Sequence, residues 1–178
     1  MGADAKEEAL KKLNLMDFMV IHFAAHGIYD NKYWWRSVLV LDSIAHGIED
    51  GILQPFELIN LGLNTDLVVL SACESGAGQF AKGIGLLGLT YAFFLAGSKS
   101  VLPSIWLIDD KATGIFMDFF YGYLAKKKTK GEALRLAKMQ MLDSGYSHPR
   151  FWAPFVLLGD HGKLVRAFTA VARDLGFQ

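Results

Sequence analysis

Uninterrupted apolar runs alternate with amphipathic segments along the chain, and this alternation predicts strands separated by helices. Strands of a parallel sheet are buried on both faces, so they read as continuous apolar runs rather than as alternating ones. Such runs predict strands at residues 17–24, 37–42, 67–72, 100–106 and 151–160. Helical periodicity and capping signals predict helices at residues 4–14, 54–61, 83–96, 110–125, 132–143 and 163–175. The fold class is therefore predicted to be α/β, with a mostly parallel sheet.

Length and composition narrow the function classes. The 178 residues suit one domain, and Lys plus Arg balance Asp plus Glu at 18 each, which gives no electrostatic footprint for nucleic acid. The longest uncharged run has 16 residues, between Lys82 and Lys99, and is shorter than the roughly 20 that a membrane-spanning helix needs. One cysteine, Cys73, excludes an internal disulfide and a cysteine-rich zinc site. It fits a reducing compartment, and we expect a cytoplasmic protein without a metal or other cofactor.

Two of the predicted strands end in chemically distinctive segments, "HFAAHG" at residues 22–27 and "SACESG" at residues 71–76. Functional groups of an open parallel sheet collect beyond the carboxyl ends of the strands. His26 lies just past its strand, where an imidazole can face solvent. His22 lies inside the strand and is expected to belong to the core or to support the site.

His26 and Cys73 are 47 residues apart, and caspases place a histidine about 50 residues before their catalytic cysteine. A cysteine nucleophile needs a base or an imidazolium nearby, since the thiolate is the reactive form. Gly27 leaves room for a substrate backbone, and its N–H and that of Cys73 are candidates for an oxyanion hole, typically worth about 3 kcal/mol per donor. The alternative is that Cys73 is a small buried hydrophobe, as free cysteines usually are.

Several segments in register resemble the CHAT domain, a caspase-like peptidase family found with TPR repeats and related to separase. They are "VIHFAAHG", "DGIL", "DLVVLSACESGAG", "GIGLLGLTYAFFLAG", "SVLPSIWLIDDKATGIFMDFFY", "EALRLA" and "FWAPFVLLGD". The resemblance covers residues 3 to about 160. It implies a clan CD cysteine peptidase with a caspase-like three-layer sandwich, with His26 as general base and Cys73 as nucleophile. No carboxylate that orients His26 can be named, so a dyad is expected.

The same resemblance shapes the expected domain organisation. Residues 1–178 are expected to form a single CHAT-like peptidase domain that lacks the family's first strand–helix unit. A C-terminal tail helix is expected within residues 161–178.

Asp109 and Asp110 follow the predicted strand at residues 100–106, on the same sheet edge as the dyad. Asp109 is well placed to cap the next helix. Asp110 and Trp106 are candidate walls of a substrate pocket, since in separase-like relatives an acidic residue near this region receives a basic side chain. Glu74 is a further candidate for acidity beside Cys73. The competing interpretation of Asp110 is a partner of the helix dipole.

The leading hypothesis is a cytoplasmic hydrolase, a cysteine endopeptidase that acts through an acyl-enzyme. Its expected partners are a protein or peptide substrate and a regulatory protein or fused TPR repeats, with no direct nucleic-acid or membrane partner. The first alternative is a catalytically silent interaction module of the same fold. A nucleotide-binding domain is a further alternative, but it rests only on a G-x-G-x-x-G pattern at Gly83, Gly85 and Gly88. A dinucleotide-binding pattern should follow its strand immediately, whereas about ten residues separate this one from the predicted strand at residues 67–72. Close packing of the apolar helix on the sheet explains these glycines better.

Overall fold

A computed structural model describes residues 6–30, 32–42, 47–71, 73–74 and 84–165, with the backbone alone at residues 73–74 and 84–85. Within those residues the strands are β1 (Val20–Phe23), β2 (His26–Ile28), β3 (Val38–Val40), β4 (Ile52–Leu53), β5 (Leu67–Leu70), β6 (Cys73–Glu74), β7 (Ser100–Pro103) and β8 (Leu158–Gly159). The helices are α1 (Glu7–Lys12), α2 (Pro55–Ile59), α3 (Ile84–Leu95), α4 (Asp110–Ala125) and α5 (Lys130–Leu142).

The central sheet has the strand order β1-β5-β7-β8. β1, β5 and β7 are parallel, and β8 closes the edge in the antiparallel direction. Every residue of β5 and β7 is buried, as their continuous apolar sequences predict for strands covered on both faces. The predicted α/β class with a mostly parallel sheet is confirmed.

Alternate residues of β5 enter two separate cores. Val68 and Leu70 pack with Phe93 of α3 on one face of the sheet. Leu67 and Val69 pack with residues of α4 and α5 on the other face. Side chains of a strand point to opposite faces in turn, so one short strand supplies both cores. Helices therefore cover both faces of the sheet, which is the predicted three-layer sandwich.

α3 contacts both the sheet and the connection before β3. A Cβ on Gly88 would lie 2.6 Å from the Cβ of Trp34, which belongs to a 3₁₀ turn at Trp34–Arg36. The glycine therefore permits a close approach between α3 and this turn. Close packing was expected here, but the structure shows the close neighbour of Gly88 to be Trp34 rather than a sheet residue. Gly83 lies outside the described residues.

A second, smaller sheet has the order β4-β3-β2-β6. The sequence predicts a loop at residues 25–37 and a turn at residues 46–53, and both predictions are partly wrong because β2 and β4 lie there. These strands have two or three residues, too few to show a period of two. Backbone pairing with β3 creates them, since β2 and β4 flank β3 in antiparallel orientation.

The strand predicted at residues 151–160 is largely wrong. A 3₁₀ turn at Pro149–Phe151 comes first, and only Leu158 and Gly159 form the strand β8. The intervening chain still runs antiparallel to β7, with a single bridge between Phe155 and Ser104. Pro154 has no N–H to donate to a ladder, and Phe155 turns into the core, where its ring stacks 4.1 Å from that of Phe116.

The C-terminal prediction lies mostly outside the described residues, which end at residue 165. Residues 161–165 run as irregular chain. The predicted helices over residues 110–125 and 132–143 are confirmed, although α5 begins two residues earlier than predicted because Thr129 and Glu132 form a capping box around its first turn.

Asp109 is the N-cap of α4, as predicted, and its side chain accepts a hydrogen bond from the Ala112 N–H at 3.0 Å. Asp109→Ala is expected to lower the free energy of unfolding by about 1 kcal/mol, because one N–H of the first turn loses its acceptor. Urea denaturation measures the change. Asp109→Asn keeps an acceptor oxygen and should lose much less. Equal losses in the two variants would contradict the capping role.

Candidate active site

The two segments with distinctive chemistry meet at one edge of the molecule. β1 and β5 are parallel, so the chain leaves both strands at the same edge of the central sheet. It then continues into β2 and β6, which also pair in parallel. His26 is the register partner of Cys73, and Gly27 is the partner of Glu74. Neighbouring strands lie about 5 Å apart, so the backbones of His26 and Cys73 are adjacent.

The two sheets share the same register offset. His22 pairs with Val69 between β1 and β5, and His26 pairs with Cys73 between β2 and β6, an offset of 47 residues in both cases. The spacing noted in the sequence is therefore the register of a parallel strand pair. Because the offset does not change between the two sheets, the pairing of β1 with β5 also places Cys73 opposite His26.

His26 is exposed, whereas Gly27 is buried. A Cβ on Gly27 would lie 2.6 Å from the hydroxyl of Tyr29 and 2.7 Å from the ring carbon that carries it. The side chain of Tyr29 therefore occupies the space beside Gly27, which sequence reasoning had left for a substrate backbone. β2 also has a neighbour on each side, β3 and β6, so the backbone of Gly27 lies inside a sheet.

The proposed pocket residues lie beyond β7, the neighbour of β5. Trp106 is half-buried, and its indole N–H donates to the carbonyl of Arg150 at 3.0 Å. Asp110 is the first residue of α4 and is exposed. Ile105 and Leu107 are exposed on the same connection. The structure thus places an apolar connection and a carboxylate at the same sheet edge as His26 and Cys73, one strand further along.

His22 joins three elements through its ring. Its Nε2 lies 2.7 Å from the Ser71 hydroxyl, and its Nδ1 lies 3.0 Å from the Tyr121 hydroxyl on α4. A neutral imidazole has one donor and one acceptor nitrogen, and a hydroxyl can take either role, so both contacts are satisfied in either tautomer. Burial lowers the pKa of His22 to about 4 and raises that of Tyr121. Both groups are therefore neutral near pH 7.

Sequence reasoning assigned His22 to the core or to a supporting role but missed its partners. Ser71 stands two residues before Cys73, and that proximity is a signal that could have drawn attention to it. Nothing in the sequence points to Tyr121, which lies 99 residues from His22.

A carboxylate cluster in the described part of the chain has the spacing of a cation site. Oxygens of Glu7, Glu49 and Glu57 lie within 4.8 Å of one another. The Lys11 ammonium lies 2.6–2.7 Å from all three carboxylates. Burial lowers the pKa of Lys11, but the carboxylates outweigh it and hold that pKa above its ordinary value. The cluster is an ion-pair network that holds α1 against α2, with the lysine where a metal would bind.

Comparison with known proteins identifies the family. The chain belongs to the CHAT domain family, whose sequence model matches residues 1–160. It is also similar to tetratricopeptide repeat protein 28 of mouse, with 33% identity over 64% of this chain, and to its human counterpart, with 34% identity over 66%. The chain spans 5% of the length of these relatives. Within the described residues, no helix combines the length and the apolar character needed to cross a bilayer.

Stability should depend on pH through His22. Its pKa is about 4 in the folded chain against an ordinary 6.5, so between these values only the unfolded chain binds a proton there. The free energy of unfolding should therefore fall as pH is lowered from about 6.5 to about 4, by up to about 3 kcal/mol. Urea denaturation across this range measures it.

His22→Gln should remove this component of the pH dependence, while His148→Gln, at an exposed histidine, should keep it. A wild-type chain and a His22→Gln variant with parallel pH profiles would show that His22 titrates normally.

Proposed function

We propose that this chain is a cysteine endopeptidase in which Cys73 is the nucleophile and His26 the general base. The observation that supports it best is the register pairing of these two residues on adjacent parallel strands, at the carboxyl edge of the central sheet. His26 is exposed, so a substrate can reach its ring. Membership of a caspase-like family supports the same reaction.

In this reaction His26 accepts the proton of the Cys73 thiol, and the thiolate sulfur attacks the carbonyl carbon of a peptide bond. The carbon–nitrogen bond of the tetrahedral intermediate then breaks, and His26 returns the proton to the leaving amine. The resulting thioester holds the acyl half of the substrate. His26 next takes a proton from water, whose oxygen attacks the thioester carbonyl. The carbon–sulfur bond then breaks, the free carboxyl group leaves, and His26 returns its proton to the Cys73 sulfur.

The backbone amides of Gly27 and Cys73 are the proposed oxyanion donors. β6 lies at the edge of the small sheet and, among the described strands, has β2 as its single neighbour. One side of the β6 backbone is thus not paired with any described strand, and we assign that side to the ligand. Gly27 lies between β3 and β6, so the use of its amide requires a shift of β2. That requirement fits a peptidase that a partner activates by rearranging the small sheet.

The substrate pocket is proposed to include Asp110, Trp106 and Glu74. The exposed Asp110 carboxylate would bind a basic side chain, whose aliphatic stem would lie on the apolar connection that carries Ile105 and Leu107. Glu74, the register partner of Gly27, would add negative charge beside the dyad. These positions favour an Arg or Lys immediately before the scissile bond.

The regulator is proposed to be a partner protein or TPR repeats fused to the domain. The similar mouse and human proteins are named for tetratricopeptide repeats, and the domain accounts for a small part of their length. A reducing compartment keeps a nucleophilic thiol free of mixed disulfides, so the proposed location is the cytoplasm.

A second candidate function is that of a catalytically silent interaction module. α3 exposes Leu87, Tyr91 and Leu95 by 57%, 60% and 54%, and these residues are spaced four apart on one face. An exposed apolar row of this kind is typical of a surface that binds another protein. The activity of Cys73 separates the two functions.

Alkylation of Cys73 tests the dyad directly, because no other thiol is present. An ordinary thiol with a pKa near 8.5 is only a few per cent thiolate at pH 7, and a nearby imidazolium raises that fraction. Iodoacetamide should therefore label Cys73 faster than a model thiol at pH 7. His26→Ala should slow labelling on the order of 10-fold, as measured by mass spectrometry over time.

His148→Ala is the matched control and should label at the wild-type rate. If His26→Ala and His148→Ala both match the wild type, with or without an added regulatory domain, the dyad is wrong and the interaction module becomes the better description.

Cleavage of a peptide library tests the pocket. Asp110→Asn keeps the shape of the side chain and removes its charge, so kcat/KM for substrates with Arg before the scissile bond should fall about 10²-fold, the loss expected for a charge pair worth roughly 3 kcal/mol. Iodoacetamide labelling of Cys73 should not change. A library that shows apolar preference, or an Asp110→Asn variant with unchanged kcat/KM, would leave Asp110 as a helix-dipole partner.

A further inference from the structure

Backbone pairing is interrupted where the chain passes from the central sheet to the small sheet. β1 ends at Phe23 and β2 begins at His26, so residues 24–25 lie between them. β5 ends at Leu70 and β6 begins at Cys73, so residues 71–72 lie between these strands. The central-sheet ladder reaches this gap with the Ser71 N–H, which donates to the Phe23 carbonyl at 3.1 Å.

The His22–Ser71 hydrogen bond lies at this interruption. It joins β1, which contains His22, to the residue that follows β5, across 49 positions of sequence. Residues 24 and 25 are both alanine, and their side chains have no hydrogen-bonding group with which to pair the two segments. A bond from the His22 ring to Ser71 is therefore well placed to keep the offset of 47 residues from changing within the gap.

The third member of this cluster ties it to a rigid element. Tyr121 lies on α4, whose Phe116 and Phe120 are fully buried against the central sheet. Its hydroxyl holds the other nitrogen of the His22 ring at 3.0 Å. With both nitrogens engaged, the ring cannot turn away from Ser71 without leaving a polar group of the cluster unpaired, which is unfavourable away from water.

We propose that His22 is a positioning residue for the His26–Cys73 site: held by Tyr121, it clamps Ser71 and so keeps β2 and β6 in the register that sets His26 opposite Cys73. The inference rests on the proposed function for its catalytic consequence. Its structural part, control of the β2–β6 register, stands independently of whether Cys73 is a nucleophile.

Ser71→Ala tests the clamp, and Ser100→Ala is its matched control. Ser100 begins β7 at the opposite end of the same sheet, and its buried hydroxyl donates to the Asp66 carbonyl at 2.6 Å. Both variants lose one serine hydroxyl and its hydrogen bond, so both lower stability by a similar mechanism. Only the first removes a contact at the junction of the two sheets. Ser71→Thr keeps a hydroxyl and serves as the rescue variant.

Amide hydrogen exchange reports the clamp without any assumption about catalysis. Exchange at residues 26–28, expressed relative to exchange within α5, should accelerate about 10-fold in Ser71→Ala. In Tyr121→Phe it should accelerate by a smaller factor. It should remain at the wild-type ratio in Ser100→Ala, and Ser71→Thr should restore it. The α5 reference removes the effect of a general loss of stability.

The pH profile of Cys73 alkylation reports the catalytic consequence. In Ser71→Ala the midpoint of the profile should move toward that of an ordinary thiol, near pH 8.5, whereas in Ser100→Ala it should not move. An unchanged exchange ratio at residues 26–28 in Ser71→Ala would overturn the clamp. If exchange accelerates in Ser71→Ala but His26→Ala leaves the pH profile of Cys73 alkylation unchanged, the clamp is supported and the proposed dyad is refuted.

Discussion

Parallel pairing between β1 and β5 is the constraint on which the candidate site depends. β5 is buried on both faces and enters both cores, so its position is set by apolar contacts with helices on either side. β1 is held to it by four register pairs, from Val20 with Leu67 to Phe23 with Leu70. A slip of one residue would turn every side chain of β1 to the opposite face, so the cores select one register strongly. The relative positions of His26 and Cys73 follow from that selection.

A polar group within this apolar frame adds a second constraint. His22 lies on the face of β1 that α4 covers, where an unpaired imidazole would be costly. Its neighbours are a hydroxyl on α4 and a hydroxyl at the end of β5, so both ring nitrogens are used. Apolar packing tolerates small displacements, whereas two hydrogen bonds from one ring define direction as well as distance. The hydrogen bonds of His22 therefore fix the relative orientation of the ends of β1 and β5, from which the chain continues to His26 and Cys73.

His26 and Cys73 lie in the small sheet, whose strands are shorter than the parallel strands of the central sheet that positions it. β2 and β6 have three and two residues, and the core residues of the described part of their sheet, Leu39 and Leu53, both belong to the core that contains Phe93. Local stability depends on buried apolar contacts and on the length of the backbone ladder, so the small sheet is expected to open more readily than the central one. This division suits the proposed regulation by a partner, since a shift of the strands that carry His26 and Cys73 would leave the pairing of β1 with β5 intact.

Local sequence patterns determined the class of fold and the edge that carries the site. Continuous apolar runs mark β5 and β7 because a strand buried on both faces needs them. His26 and Cys73 come just after the apolar runs of β1 and β5, so the sequence alone shows that both lie at the carboxyl ends of strands. Asp109 was predictable as a cap for a similar reason, because its partner lies three residues away. Tertiary structure alone decided which distant residues meet: the pairing of His22 with Tyr121 and the turn of Phe155 onto Phe116. Burial and periodicity are encoded locally, whereas contacts across 39 and 99 residues arise only when helices and strands pack, because their energies depend on a geometry that no short segment contains.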